Sequence, residues 1–203
     1  MFWYEEEVKR LERESTLITY QPQTAFYGSS TFTLWDSPYE HFQAFKPVNL
    51  GFGGSTLAAC AWYFDRVFAQ YHHLDSVVIY AGDNDLSNHR HPEEIYLFLF
   101  QLFQRLQERY GDIHCTYVSI KPSPQRWHLN DQVKYTNMII EKEIQKRQHP
   151  YWHYVDIYDH YLGKNHRPNA QFYEADGLHF NKAGHQILKD ILIQHLQSLN
   201  IPK

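Results

Sequence analysis

Residues 172–185 read FYEADGLHFNKAGH, placing Asp176 three positions before His179 with Gly177 between them. An acid and an imidazole so spaced can form the base half of a hydrolytic triad. The carboxylate holds the ring in one tautomer, and the ring takes a proton from a nucleophile. A nucleophile stands at the other end of the chain. Residues 25–35, AFYGSSTFTLW, read as a short apolar strand running into Gly-Ser-Ser, where the glycine lets the backbone turn and leaves a serine at the C-terminal end of the strand. Open parallel sheets hold their ligands at that end. The spacing is not the Gly-x-Ser-x-Gly elbow, because Phe32 occupies the place of its second glycine.

Two more glycine-rich strand exits follow. Residues 48–57, VNLGFGGSTL, end a strand in Gly51, Gly53 and Gly54, and residues 77–86, VVIYAGDNDL, end a β-branched strand in Gly82-Asp83-Asn84-Asp85. Acyl transfer needs donors aimed at the oxyanion of a tetrahedral intermediate, and backbone N–H groups freed by glycine or a side-chain amide supply them. Taken alone, Asp-x-x-His or Gly-Ser-Ser is ordinary loop chemistry. Ser, Gly, Asn and His in this order, each at a strand exit or helix entrance, is a specific pattern.

The four segments resemble the successive blocks of the SGNH, or GDSL-like, hydrolases, and FYGSS, GFGGST, AGDND, SIKPSPQRW and DGLHFN resemble one GDSL-like lipase/acylhydrolase subfamily in particular. The resemblance runs from about residue 24 to 185. It implies Ser30 as nucleophile, His179 as base and Asp176 as the acid that orients it. The Ser30 N–H, the Gly54 N–H and the Asn84 side-chain amide are implied as the oxyanion hole. One departure is that the eponymous Gly-Asp-Ser is Gly28-Ser29-Ser30, so a serine replaces the aspartate that supports the turn, and only the register of the block separates Ser30 from Ser29.

Stepping along the chain, helices and strands alternate. The pattern predicts a helix over about 2–14, strands at 24–27 and 48–50, a helix over 55–70, and a strand at 76–80. Pro92 followed by two glutamates opens a helix whose Ile95, Phe98, Leu102 and Leu106 share a face. A strand at 113–119, a helix over 130–146, a strand at 153–157 and a helix over 182–196 complete the series. Five strands alternating with helices imply right-handed crossovers and a parallel sheet covered on both faces, a three-layer α/β/α plan. The resemblance adds a flavodoxin-like strand order. We expect one domain over 1–203, with 1–20 a helical extension.

The chain has 203 residues, 43% of them hydrophobic, and a net charge of −4, which offers no basic field for nucleic acid or an anionic membrane. No stretch approaches the roughly 18 apolar residues of a membrane helix, and the acidic start lacks the pattern of a signal peptide, so a cytoplasmic location is the expectation. Cys60, in an expected helix, and Cys115, in an expected strand, read as free buried thiols. His72-His73 and His89-x-His91 lack the further ligands of a zinc site and read as solvated surface residues. Asp83 and Asp85 read as turn residues bonding their own backbone and holding Asn84, with no metal assigned.

Other residues stay open between roles. Arg126, in the proline-rich loop at 121–126, either approaches a polar substrate group or braces a turn, with Trp127 covering the core. Trp35 is either core or pocket wall, with core favoured. The long irregular segment at 158–176 is expected to shape the substrate site. The expected activity is hydrolysis of a small-molecule carboxylic ester through an acyl-enzyme, without a cofactor. The alternatives are a carbohydrate O-deacetylase, suggested by Trp35, Trp127 and Tyr161, and a non-catalytic binding protein on the same fold.

Overall fold

The computed structural model describes residues 1–199 and 201, so 200, 202 and 203, the end of the expected 1–203 domain, lie outside the described residues. The strands are short and mostly buried, because Val, Ile, Tyr and Phe face helices on both sides and little polar alternation is needed, with the last strand partly open at His153 and Tyr154. The elements in chain order are α1 (Glu5–Ser15), β1 (Thr24–Gly28), α2 (Ser30–Thr33), α3 (Pro38–His41), β2 (Pro47–Gly51), α4 (Leu57–Val67) and β3 (Ser76–Tyr80). They continue with α5 (Asp83–Ser87), α6 (Pro92–Tyr110), β4 (His114–Val118), α7 (Asn130–Arg147), β5 (Trp152–Val155) and α8 (Lys182–Ser198).

The five strands pair in parallel in the order β2-β1-β3-β4-β5, the flavodoxin-like order expected from the resemblance. Successive strand residues point to opposite faces and build two cores. Ala25, Tyr27, Val77, Ile79, Cys115 and Tyr117 pack with α1, α4, α6 and α7, while Phe26, Val78, Tyr80, Val118 and Val155 pack with α8 and the aromatics Phe32, Trp35 and Phe42. Cys60 and Cys115 are free and buried, and burial pushes both thiols up and out of reactive range.

Helix ends follow local chemistry. Pro92 takes the first position of α6, and the His91 N–H donates to Glu94 Oε2 at 2.8 Å in a capping box. Asn181 caps α8, its Oδ1 accepting from the N–H groups of Ala183 at 2.9 Å and Gly184 at 3.1 Å. Three short helices, α2, α3 and α5, were not expected, since four or five residues carry too little periodicity to register. The last strand sits at Trp152–Val155, not 153–157, because past it Ser119 Oγ accepts the Ile157 N–H at 2.8 Å and takes over from the ladder. Among the described residues no helix is long and apolar enough to cross a membrane.

Candidate active site

The strand order decides where the chemistry can gather. In the order β2-β1-β3 the end of β1 lies between its neighbours, with Gly28 opposite Gly51 on one side and Tyr80 on the other. Gly28 has φ of 142°, and a Cβ there would stand 2.0 Å from the Tyr80 carbonyl oxygen, so only glycine permits the turn. The chain then bends at Ser29, whose N–H donates to that carbonyl at 2.9 Å, and Ser30 opens α2. Ser29 is 1% exposed, whereas Ser30 is partly open to solvent.

Ser30 Oγ lies 3.1 Å from His179 Nε2, and His179 Nδ1 lies 2.5 Å from Asp176 Oδ2. The sequence-predicted serine, imidazole and carboxylate thus form one hydrogen-bonded chain, although 149 positions separate Ser30 from His179. Asp176 is held by its own turn, Oδ1 accepting the N–H groups of Leu178 at 2.8 Å and His179 at 3.0 Å. Burial pulls this carboxyl up, but those N–H groups and the imidazole outweigh it and bring it down to about 2. The Gly177 carbonyl accepts the Gln125 N–H at 3.0 Å, and the Asn181 side chain donates to the Gln171 and Tyr173 carbonyls, so both ends of the His179 segment are tied down.

The expected oxyanion donors lie on the segments that follow three neighbouring strands, β2, β1 and β3. Among the described residues neither the Ser30 N–H nor the Gly54 N–H has an acceptor. The first is an orphan donor of a helix start. Asn84 Nδ2 donates one hydrogen to the Ser55 carbonyl at 3.0 Å, joining the loop after β3 to the loop that carries Gly54. Its second amide hydrogen remains for another acceptor.

Arg126 was open between substrate and turn in the sequence reading. It donates from Nη2 to Asn84 Oδ1 at 2.9 Å and from Nη1 to Asp83 Oδ2 at 3.0 Å. Because an amide has one oxygen and one nitrogen, fixing the oxygen on a guanidinium aims the nitrogen the other way. The buried Lys121 stands 3.6 Å from the same Asp83 oxygen and over the Tyr80 and Phe180 rings, and burial pulls its ammonium down from the usual lysine range. Nothing in the local sequence marked Lys121 or the partners of Arg126, since both cations meet a carboxylate about 40 positions away.

Asp85 requires a correction. It does not bond its own turn but crosses to α4, where Oδ2 accepts the Leu57 N–H at 2.8 Å. It is fully buried, and burial pushes its carboxyl up to about 7 against the opposing pull of that N–H and of Arg90. Asp83 matches the expectation in part, its Oδ1 accepting the Asn84 N–H at 3.0 Å. The aromatic argument for a sugar site also changes. Trp35 is core, donating to His41 Nδ1 at 3.0 Å, and Tyr161 is fully buried with its hydroxyl on the Gly184 carbonyl at 2.9 Å. Only Trp127 stays partly exposed, beneath the Arg167 guanidinium. Among the described residues no group of three or more His, Cys, Asp or Glu side chains is placed to hold a metal, and His91 serves its helix cap.

The pattern of the GDSL-like lipase/acylhydrolase family matches residues 23–187. The chain belongs to this family. It is a hydrolase, and its family supports esterase or acylhydrolase activity on small-molecule esters. No curated protein matches the chain by sequence. Among solved structures, a GDSL-like lipase from Bacteroides thetaiotaomicron superposes with a TM-score of 0.77 at 20% identity, covering 94% of this chain and 97% of that one. A proposed platelet activating factor from Streptococcus pneumonia reaches 0.80 at 18% identity, covering 96% and 94%. A carbohydrate esterase family 3 protein from Talaromyces cellulolyticus reaches 0.65 at 15%, covering 88% and 100%. At these identities the likeness is one of fold.

Proposed function

We propose that this GDSL-family chain cleaves carboxylic esters through an acyl-enzyme on Ser30, within the single domain expected from the sequence. The observation that carries the reading is the continuous chain from Ser30 Oγ through His179 to Asp176. His179 Nε2 takes the serine proton as Oγ attacks the ester carbonyl, then returns it to the leaving alkoxide. A water activated by the same ring releases the acid. Asp176, held ionised by its turn N–H groups and the imidazole, keeps the proton of the neutral ring on Nδ1 and stabilises the imidazolium. The carbonyl oxygen, negative in each tetrahedral intermediate, accepts from the Ser30 N–H, the Gly54 N–H and Asn84 Nδ2.

Covalent labelling tests this. A fluorophosphonate should add one phosphonyl group to Ser30 in the parent and none in Ser30→Ala, and p-nitrophenyl acetate should be turned over only by the former. An unlabelled parent that hydrolyses no ester would leave the fold without this chemistry and favour a binding role.

A further inference from the structure

The N-terminal helix lies outside the stretch that the family pattern matches, yet its side chains reach the loop that carries Gly54. Tyr4, in the turn just before α1, donates from its hydroxyl to the Gly54 carbonyl at 3.1 Å. Glu7 Oε2 accepts the Gly53 N–H at 3.1 Å, and Arg10 Nη2 donates to the Gly51 carbonyl at 2.8 Å. The three are built in as a set. Arg10 is itself held by Glu7 at 3.1 Å and Glu14 at 2.7 Å, and the Tyr4 ring packs edge-on to Phe52 with centroids 5.8 Å apart. Partial burial pulls the Glu7 carboxyl up, but Arg10 and the Gly53 N–H more than offset it, and it ends below the usual range as a firm acceptor.

These contacts fall in a telling order along the backbone. Arg10 fixes the peptide after Gly51, Glu7 the peptide before Gly53, and Tyr4 the peptide after Gly54. Among the described residues the peptide between Gly53 and Gly54 has no hydrogen-bond partner, and it carries the N–H assigned to the oxyanion. With glycine on both sides, and Gly54 at φ of 69° with no atom within 4 Å of where a Cβ would stand, the loop's own side chains do little to hold it. A shift of the loop would carry that N–H away from the developing oxyanion.

We propose that α1 and its preceding turn form a clamp that holds the loop at 51–54, and with it the Gly54 N–H, in place, with Tyr4, Glu7 and Arg10 as positioning residues for ester hydrolysis. The proposal rests on the oxyanion-hole reading above. Bonds to the planes on either side hold in place the two Cα atoms between which the Gly53–Gly54 peptide is strung, because Glu7 anchors the chain at Gly53 and Tyr4 anchors it at Gly54.

The test is a set of variants of the full chain, Tyr4→Phe, Glu7→Ala, Glu7→Gln and the double Tyr4→Phe/Glu7→Ala. Each is assayed on p-nitrophenyl acetate well below its melting temperature. Losing an oxyanion donor outright costs on the order of 10²–10³ in kcat, so partial loss of its placement should lower kcat of the double variant by about 10-fold or more with KM within about 2-fold. Glu7→Gln should stay within about 3-fold of the parent, because its amide oxygen still accepts the Gly53 N–H. A double variant that melts earlier yet keeps the parent kcat would overturn the clamp and leave α1 a packing element. A parent that hydrolyses ester through Ser30 while the double variant is unimpaired sinks the clamp alone. An inactive, unlabelled parent sinks the hydrolase reading and the clamp with it.

Discussion

Replacing Asn84 with alanine exposes the proposed mechanism most sharply, because one side chain is asked to do two things. As an oxyanion donor its loss should lower kcat by roughly 10²–10³-fold, about 2.7–4 kcal/mol of transition-state stabilisation, with KM nearly unchanged. As a structural link it holds the Ser55 carbonyl at 3.0 Å and accepts from Arg126 at 2.9 Å. A neutral bond is worth about 0.5–1.5 kcal/mol and a charge-assisted one about 1.5–3, but Arg126 keeps its bond to Asp83, so a net loss of about 2 kcal/mol is expected. For a chain of this size that corresponds to a melting temperature lower by about 4–8 °C. Steady-state kinetics and thermal melts on one preparation, with the assay well below the variant's melting point, separate the two effects. A variant that melts earlier yet keeps kcat within about 3-fold of the parent would refute the donor role and leave Asn84 a link between loops.

Ser30→Ala should abolish turnover and fluorophosphonate labelling while Ser29→Ala retains most activity, since the imidazole bonds Ser30 and Ser29 is buried; activity surviving in Ser30→Ala would reverse the assignment. Asp176→Asn should lower kcat by on the order of 10⁴ at neutral pH, because an amide donating to Nδ1 forces the proton onto Nε2 and leaves no base for Ser30; a loss under about 10-fold would show that the carboxylate does not set the tautomer. The buried groups predict opposing pH effects on stability. Asp85, raised to about 7, favours the folded state fully at acid pH, and that contribution is lost as pH rises to about 7. His153 and His195, which burial first and neighbouring imidazoles second lower to about 4, contribute above the ordinary histidine range, and that contribution is lost as pH falls to about 4. Asp85→Asn should therefore steepen the fall in melting temperature between about pH 7 and pH 4, and identical profiles for variant and parent would contradict the raised carboxyl.

What could be read without a structure was whatever repeats or stays local along the chain. Alternating apolar strands and periodic helices announced the three layers, because side-chain period follows directly from backbone geometry. Gly28, the Asp176–His179 turn and the start of α8 just after it were legible because a turn constrains its own few residues. The candidate triad and oxyanion residues stood at element ends, where sequence blocks carry the resemblance. The tertiary structure decided what depends on contacts between distant segments. Asp85 looked like a turn residue until the packing of α4 set the Leu57 N–H against it, and Arg126 looked like a loop cation until Asp83 and Asn84 met it. Tyr161 looked available to substrate, and Trp35 stood open between core and pocket wall with core favoured, until α8 and its flanking turns closed over both. Tyr4, Glu7 and Arg10 gave no sign in a helix whose sequence is merely acidic and amphipathic. Their partners are backbone atoms more than 40 positions away, and a peptide N–H or carbonyl bears no mark in a sequence.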